Sequence, residues 1–156
     1  MIEKKQVLIV ANTPSDNTAA LAQAALRGAQ HPDIETVDAR LLTPFETTVD
    51  DVLSADGIVL GTTENFGYMS GALKDFFDRV YYPVLEQKQG TPYLLYVRAG
   101  LDGTGSISAV ERIVTGLRWK ALREPLLCHG SYRDEFTEQT EELGLLMAAS
   151  LDAGIA

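Results

Sequence analysis

The stretch Gly57-Ile58-Val59-Leu60-Gly61-Thr62-Thr63-Glu64-Asn65-Phe66-Gly67-Tyr68-Met69-Ser70-Gly71, continued by Ala72-Leu73-Lys74-Asp75-Phe76-Phe77-Asp78-Arg79-Val80-Tyr81-Tyr82-Pro83, joins three patterns without a break. Ile58, Val59 and Leu60 form a short continuous apolar run beside glycine, the signature of a strand covered on both faces. Leu73, Phe76, Phe77, Val80 and Tyr81 then recur at helical spacing, with Lys74, Asp75, Asp78 and Arg79 on the opposite side. Ser70 is expected to cap this helix and Pro83 to stop it. Between strand and helix, Phe66 and Tyr68 stand beside Gly67 and Gly71, offering flat apolar faces and close backbone approach that suit a planar ring.

The same alternation extends over the rest of the chain. Apolar runs at 7–11, 93–97 and 126–128 read as further buried strands, and 34–38 alternates with charge as an edge strand does. Helical stripes follow at Thr18, Leu21, Ala22, Ala25, Leu26 and Ala29, at Ile107, Val110, Ile113, Val114 and Leu117, and at Phe136, Thr140, Leu143, Leu146, Met147 and Leu151. A short helix is expected at 49–54. Alternating strands and helices with right-handed crossovers predict an α/β three-layer sandwich. Its core is a five-stranded parallel sheet in the order 2-1-3-4-5, with helices on both faces. Ligands bind such sheets at the carboxyl ends of strands 1, 3 and 4, which singles out the loops 12–18, 62–69 and 98–105.

Composition narrows the classes. A chain of 156 residues, 46% hydrophobic, predicts a single domain over residues 1–156. A formal net charge of -9 argues against nucleic acid and against adhesion to an anionic leaflet. With one cysteine, Cys128, neither an intrachain disulfide nor a thiolate zinc cluster can form, and a cytoplasmic setting fits. Lys4 and Lys5 ahead of a five-residue apolar run imitate a signal peptide but read as a first strand, and no run approaches the ~18 apolar residues of a spanning helix. No metal site is expected.

The first loop, Asn12-Thr13-Pro14-Ser15-Asp16-Asn17-Thr18, leads into a helix. Consecutive amides at a positive helix end, with the Thr13, Ser15 and Thr18 hydroxyls, make a cradle for a monophosphate; alternatively Ser15 or Asp16 merely caps the helix. No lysine stands where a triphosphate-binding loop requires one. Gly100-Leu101-Asp102-Gly103-Thr104-Gly105 lacks dinucleotide-fingerprint spacing and follows the fourth strand; it is either a surface for a ring edge or a flexible turn, with Ser106 starting the next helix. Arg98 is the one cation expected near a bound ring, or else pairs with Asp102 or Glu64. Glu64 and Asn65 offer hydrogen bonds to a polar rim, Met69 is expected to pack beneath the helix, and Gly71 to let the helix start approach its neighbour. His129 ends the fifth strand as a candidate proton source, Cys128 reads as a core thiol, and His31 has no motif around it. Tyr81, Tyr82 and Pro83 read as core or subunit contact.

The run Phe66-Gly67-Tyr68-Met69-Ser70-Gly71 after a strand resembles the ring loop of flavodoxin-like FMN proteins. It is most similar to the NAD(P)H-dependent quinone or FMN reductases of the tryptophan-repressor-binding-protein type. The first loop resembles that family's phosphate loop, except that Asp16 stands where glycine is usual. The resemblance implies non-covalent FMN with its phosphate at Thr13, Ser15, Asp16, Asn17 and Thr18. Its ring would lie at Thr62, Thr63, Glu64, Asn65, Phe66, Gly67, Tyr68, Arg98, Ala99, Gly100 and Gly103. It also implies NADH or NADPH as electron donor and a quinone or other small-molecule acceptor, with no obligatory catalytic side chain. The short connection after Pro83 leaves no room for a lid, so a homo-oligomer is expected to complete the pocket. Two other readings stand beside it: an acidic one-electron carrier serving a redox protein, and an interaction domain that has lost the cofactor through Asp16.

Overall fold

The computed structural model describes residues 3–156. β1 (Lys5–Ala11), α1 (Asp16–Ala29), β2 (Val37–Leu42), α2 (Val49–Ser54) and β3 (Gly57–Asn65) open the chain. β4 (Tyr68–Met69), α3 (Gly71–Val84), β5 (Pro92–Ala99), α4 (Thr104–Leu117), β6 (Lys120–Ala121), β7 (Leu126–His129) and α5 (Asp134–Ala153) complete it. Along the sheet the order is β2-β1-β3-β5-β6, all parallel, with β7 also on β5 and β4 turned back antiparallel on β3.

This is the flavodoxin-like order 2-1-3-4-5 expected from the alternation, with two differences in strand count. The fifth strand is broken: Lys120 and Ala121 pair with Pro92 and Tyr93, and Leu126 to His129 pair with Tyr96 to Ala99. Pro125 lies in the interruption, where a missing N–H costs no ladder bond. The second difference is β4, in a segment that reads as loop in the sequence. The edge strand also lies further along than the charge alternation predicts, at Val37–Leu42, because residues 31–36 form the turn that leaves α1.

Because side chains alternate along each strand, Leu8, Val10, Ile58, Leu60, Leu95 and Val97 form one core with α2, α3 and α4. Val7, Ile9, Val59, Leu94 and Tyr96 form the other with α1 and α5. Closeness on that second side rests on two glycines: a Cβ on Gly28 would collide with the Glu141 carbonyl, and one on Gly144 with the Ala25 carbonyl. Pro83 does not end its helix. It lies in the last turn of α3, which continues to Val84, where the chain is already leaving helical hydrogen bonding through Leu85 N–H to the Tyr82 carbonyl at 3.3 Å.

Parallel pairing puts the C-terminal ends of β1, β3 and β5 on one edge of the sheet. Strand order reverses between β1 and β3, and the three loops expected to act together meet there.

Candidate functional site

In the first loop Ser15 caps α1. Its Oγ accepts from Thr18 N–H at 3.2 Å, and Thr18 Oγ1 accepts from Ser15 N–H at 2.9 Å. Both hydroxyls are thus committed within the loop, and Thr18 is buried. The amides of Asp16 and Asn17 make no hydrogen bond among the described residues. They are two adjacent donors at the positive end of a fourteen-residue helix, the geometry of a phosphate cradle. Asp16 is exposed at the first helical position, where its charge favours the helix dipole and opposes an incoming anion.

The second loop is a hairpin. β3 runs through Thr62 to Asn65, turns at Phe66 and Gly67, and returns as β4, with Glu64 opposite Met69 and Asn65 opposite Tyr68. Phe66 (φ 52°) and Gly67 (φ 73°) both have left-handed backbone, as a two-residue type I′ turn demands. Glycine adopts this readily, whereas phenylalanine does so at a cost of about 1–2 kcal/mol, and the Phe66 ring is fully exposed. Strain on an aromatic residue that buries nothing points to use by a ligand.

Internal bonds fix the base of this hairpin. Thr62 is buried, its Oγ1 accepting from Ser70 N–H at 3.0 Å and donating to the Thr63 carbonyl at 2.9 Å. Its hydroxyl therefore braces the hairpin. Ser70 caps α3 as expected, its Oγ accepting from Leu73 N–H at 3.1 Å, and Met69 is buried in the core. Around Gly71 the space is open, so its lack of a side chain answers to no close neighbour.

Asn12 was not singled out by the sequence, yet it joins the first two loops. Its Nδ2 donates to Thr63 Oγ1 at 3.2 Å, and Thr63 Oγ1 donates on to Asn65 Oδ1 at 3.1 Å. Its place directly after the first strand was the available signal. Glu64 carries a different message: its Oε2 is buried with no hydrogen-bond partner among the described residues. A buried acceptor without a donor costs about 1–3 kcal/mol, which a bound N–H group would recover.

The third loop supports the second. α4 begins after Gly103, in left-handed backbone (φ 91°), and Ser106 lies buried in its first turn instead of starting it. Ser106 Oγ donates to the Tyr68 carbonyl at 2.9 Å, and a Cβ on Gly105 would collide with the Gly67 carbonyl. Beside Gly100 the space is open, leaving room for a ligand edge next to Ala99 and Gly100. Asp102 accepts from Thr104 Oγ1 at 2.6 Å.

Arg98 pairs with neither Asp102 nor Glu64. Its Nη1 donates to the carbonyls of Ala99 (2.7 Å) and Cys128 (3.1 Å), and its guanidinium lies 5.7 Å and 5.6 Å from the Tyr132 and Phe136 ring centres. The cation thus sits at the end of β5, on the α5 side of the sheet. His129 is exposed at the end of β7. Cys128 is fully buried, and burial pushes its thiol up to about 11 against the opposing pull of the Thr140 hydrogen bond and the Arg98 and Arg133 charges. It is an inert core thiol. Tyr81 packs on the α3–α4 core, while Tyr82 is exposed.

Two free amides at a helix start, an orphaned carboxylate oxygen and an exposed strained aromatic thus share one edge of the sheet. The sequence profile of NADPH-dependent FMN reductases matches residues 4–124, which include all three loops. The chain belongs to the NADPH-dependent FMN reductase family. Within this flavodoxin-like family, it is 32% identical over 112 residues to a flavodoxin from Aquifex aeolicus, covering 72% of this chain. The matched chain spans only 60% of that relative's length. A flavodoxin from the domain Archaea superposes with a TM-score of 0.78 at 18% identity, covering 94% of this chain and 98% of its own. The WrbA-like flavodoxin from Agrobacterium tumefaciens gives 0.71 at 14% identity, covering 99% and 100%. These superpositions establish the flavodoxin-like fold. Among the described residues no helix is long and apolar enough to cross a membrane.

The residues present fit FMN. The Asp16 and Asn17 amides suit a phosphate, and the unpartnered Glu64 oxygen suits the N–H of an isoalloxazine edge.

Proposed function

We propose that this protein is an NAD(P)H-dependent FMN oxidoreductase that delivers electrons to a quinone or a similar small acceptor. The observation that carries the reading is the Phe66–Gly67 turn, an exposed aromatic held in strained backbone and braced from behind by α4. Thr13, Ser15, Asp16, Asn17 and Thr18 surround the phosphate, with the two free amides as its donors. The hairpin, Ala99, Gly100 and Gly103 frame the ring, and Glu64 takes its N–H. When bound, FMN would supply the redox chemistry, with NADH or NADPH as the proposed electron donor. The chain positions it. Arg98 adds a positive field at the end of β5 that favours negative charge on the ring.

Only residues 85–91 separate α3 from β5, too few for a lid, so in this reading a second subunit completes the acceptor pocket and the protein is a cytoplasmic homo-oligomer built on one domain. A carrier reading, in which the protein exchanges single electrons with a redox protein, draws on the net charge of -9 and the similarity to the Aquifex flavodoxin. Steady-state oxidation of NADH and NADPH by the FMN-loaded protein, with and without benzoquinone, separates the two. Turnover that depends on both quinone and bound FMN supports the enzyme, and absence of turnover with either nucleotide supports the carrier.

A further inference from the structure

The segments that leave the carboxyl ends of β1, β2, β3 and β5, residues 12–15, 43–48, 66–67 and 100–103, contain no lysine or arginine, while Glu46 and Asp102 add negative charge. On α3, Lys74 and Arg79 are paired with Asp78 at 2.6 Å and Asp75 at 2.8 Å. The permanent positive charge left at the ligand edge is gathered at one corner, by Arg98 at the end of β5 and Arg133 between β7 and α5.

One ring organises this corner. Phe136 is buried, with the Arg133 guanidinium 4.7 Å and the Arg98 guanidinium 5.6 Å from its centre, and Tyr132 packs edge-on against it at 5.8 Å. Arg98 commits Nη1 to the Ala99 and Cys128 carbonyls, which fixes its fork and leaves Nε and Nη2 with no hydrogen bond among the described residues. Arg133 is exposed, and its guanidinium makes neither a hydrogen bond nor an ion pair among them. Asp134 and Glu135, exposed on the first turn of α5, pair with neither arginine. Two guanidiniums held on one ring without a carboxylate between them repel each other, and an anion shared by both relieves that repulsion.

We propose that Arg98 and Arg133 form the docking site for a phosphate of the pyridine nucleotide that reduces the flavin. The inference rests on the reductase reading above and names how its electron donor is held. Guanidinium forks match phosphate oxygens in pairs, with a geometry that lysine lacks. The corner also adjoins the ring site. Arg98 holds the carbonyl of Ala99, a residue that frames the ring, and β7 lies one strand spacing, about 5 Å, further along the edge. A nicotinamide laid on the ring would extend its ribose and phosphates along that edge. FMN's own phosphate is assigned to the amides at the start of α1, across β3 and β5 from this corner, so the two anions do not compete.

Calorimetric binding of oxidised NADP and NAD to the FMN-loaded protein tests the site without turnover, and flavin reduction by NADPH and NADH is followed beside it. Arg133→Gln, at an exposed position, should weaken nucleotide binding about tenfold, and Arg133→Lys should weaken it less. Added salt should weaken binding to the native protein more steeply than binding to Arg133→Gln. Arg123→Gln, at an exposed arginine ahead of β7, should leave both affinities unchanged. An effect of Arg133→Gln confined to NADP places the 2′-phosphate at the site, and an equal effect on both nucleotides places the pyrophosphate there. Affinities within about twofold of native in Arg133→Gln, with the flavin still reduced, would overturn the site and leave the reductase standing, as would a loss that Arg123→Gln shares. Binding and reduction by neither nucleotide would sink the reductase reading itself, and the site with it.

Discussion

Ser106 Oγ donates to the carbonyl of Tyr68 at 2.9 Å, and through this bond the first turn of α4 holds the returning strand of the aromatic hairpin. The hydroxyl is buried, so Ser106→Ala leaves a carbonyl without its donor at a cost of about 1–3 kcal/mol. Urea unfolding should show that loss, and FMN affinity should fall with it because the hairpin loses its brace. Unchanged affinity with lowered stability would mean that the hairpin position does not matter to the cofactor.

Phe66 should separate stability from binding. Phe66→Asn places Asn-Gly in a type I′ turn, the preferred sequence for that backbone, and relieves about 1 kcal/mol of left-handed strain. It also removes a stacking face worth about 0.5–1.5 kcal/mol. The thermal midpoint of the flavin-free protein is expected to rise while FMN dissociation becomes several-fold easier. A raised midpoint with FMN bound as tightly as before, or more tightly, would contradict a ligand role for the ring.

Asp16 is not the helix cap, since Ser15 has that role, so its carboxylate can be neutralised without unravelling the loop. Asp16→Asn should tighten FMN by about 1 kcal/mol by removing a like charge near the phosphate, while the helix loses a few tenths of a kcal/mol of dipole stabilisation. Riboflavin, which lacks the phosphate, should be indifferent to the substitution. Equal gains for both ligands would place the effect elsewhere.

Cys128 supplies a pH signature. Burial raises its folded thiol from an ordinary 9.0 to about 11, so the folded chain holds the proton more tightly than the unfolded one. Its contribution to stability is complete below the lower value and falls as pH climbs through that window. Urea midpoints of the native sequence should therefore drop more steeply there than those of Cys128→Ala. At mildly alkaline pH, iodoacetamide should modify the thiol only after denaturant is added.

What the sequence disclosed follows from how each feature is encoded. The continuous run at Ile58–Val59–Leu60 and the stripe from Leu73 to Tyr81 are dictated by burial, and the structure buries Leu73, Phe76, Phe77 and Val80 as that stripe requires. Sheet order followed from the alternation of such segments. Features set by backbone geometry were harder to read. Residues 65–68 carry Asn and Gly but place Phe at the first turn position, which hides a type I′ hairpin behind an unfavourable residue. Ser106 resembled a helix cap because serine favours that position, yet its hydroxyl is used across the fold by the Tyr68 carbonyl. Asn12 and Arg98 act through partners 51 and 30 residues away, distances over which no local pattern reports.

Anaerobic addition of NADPH to the FMN-loaded protein, followed by visible absorbance, tests the proposed reductase activity most directly. A stoichiometric amount should bleach the bound flavin in one two-electron step, and benzoquinone should restore the oxidised spectrum. A flavin that ignores both NADH and NADPH, and that dithionite reduces in two well-separated one-electron steps, would contradict the reductase and leave an electron carrier.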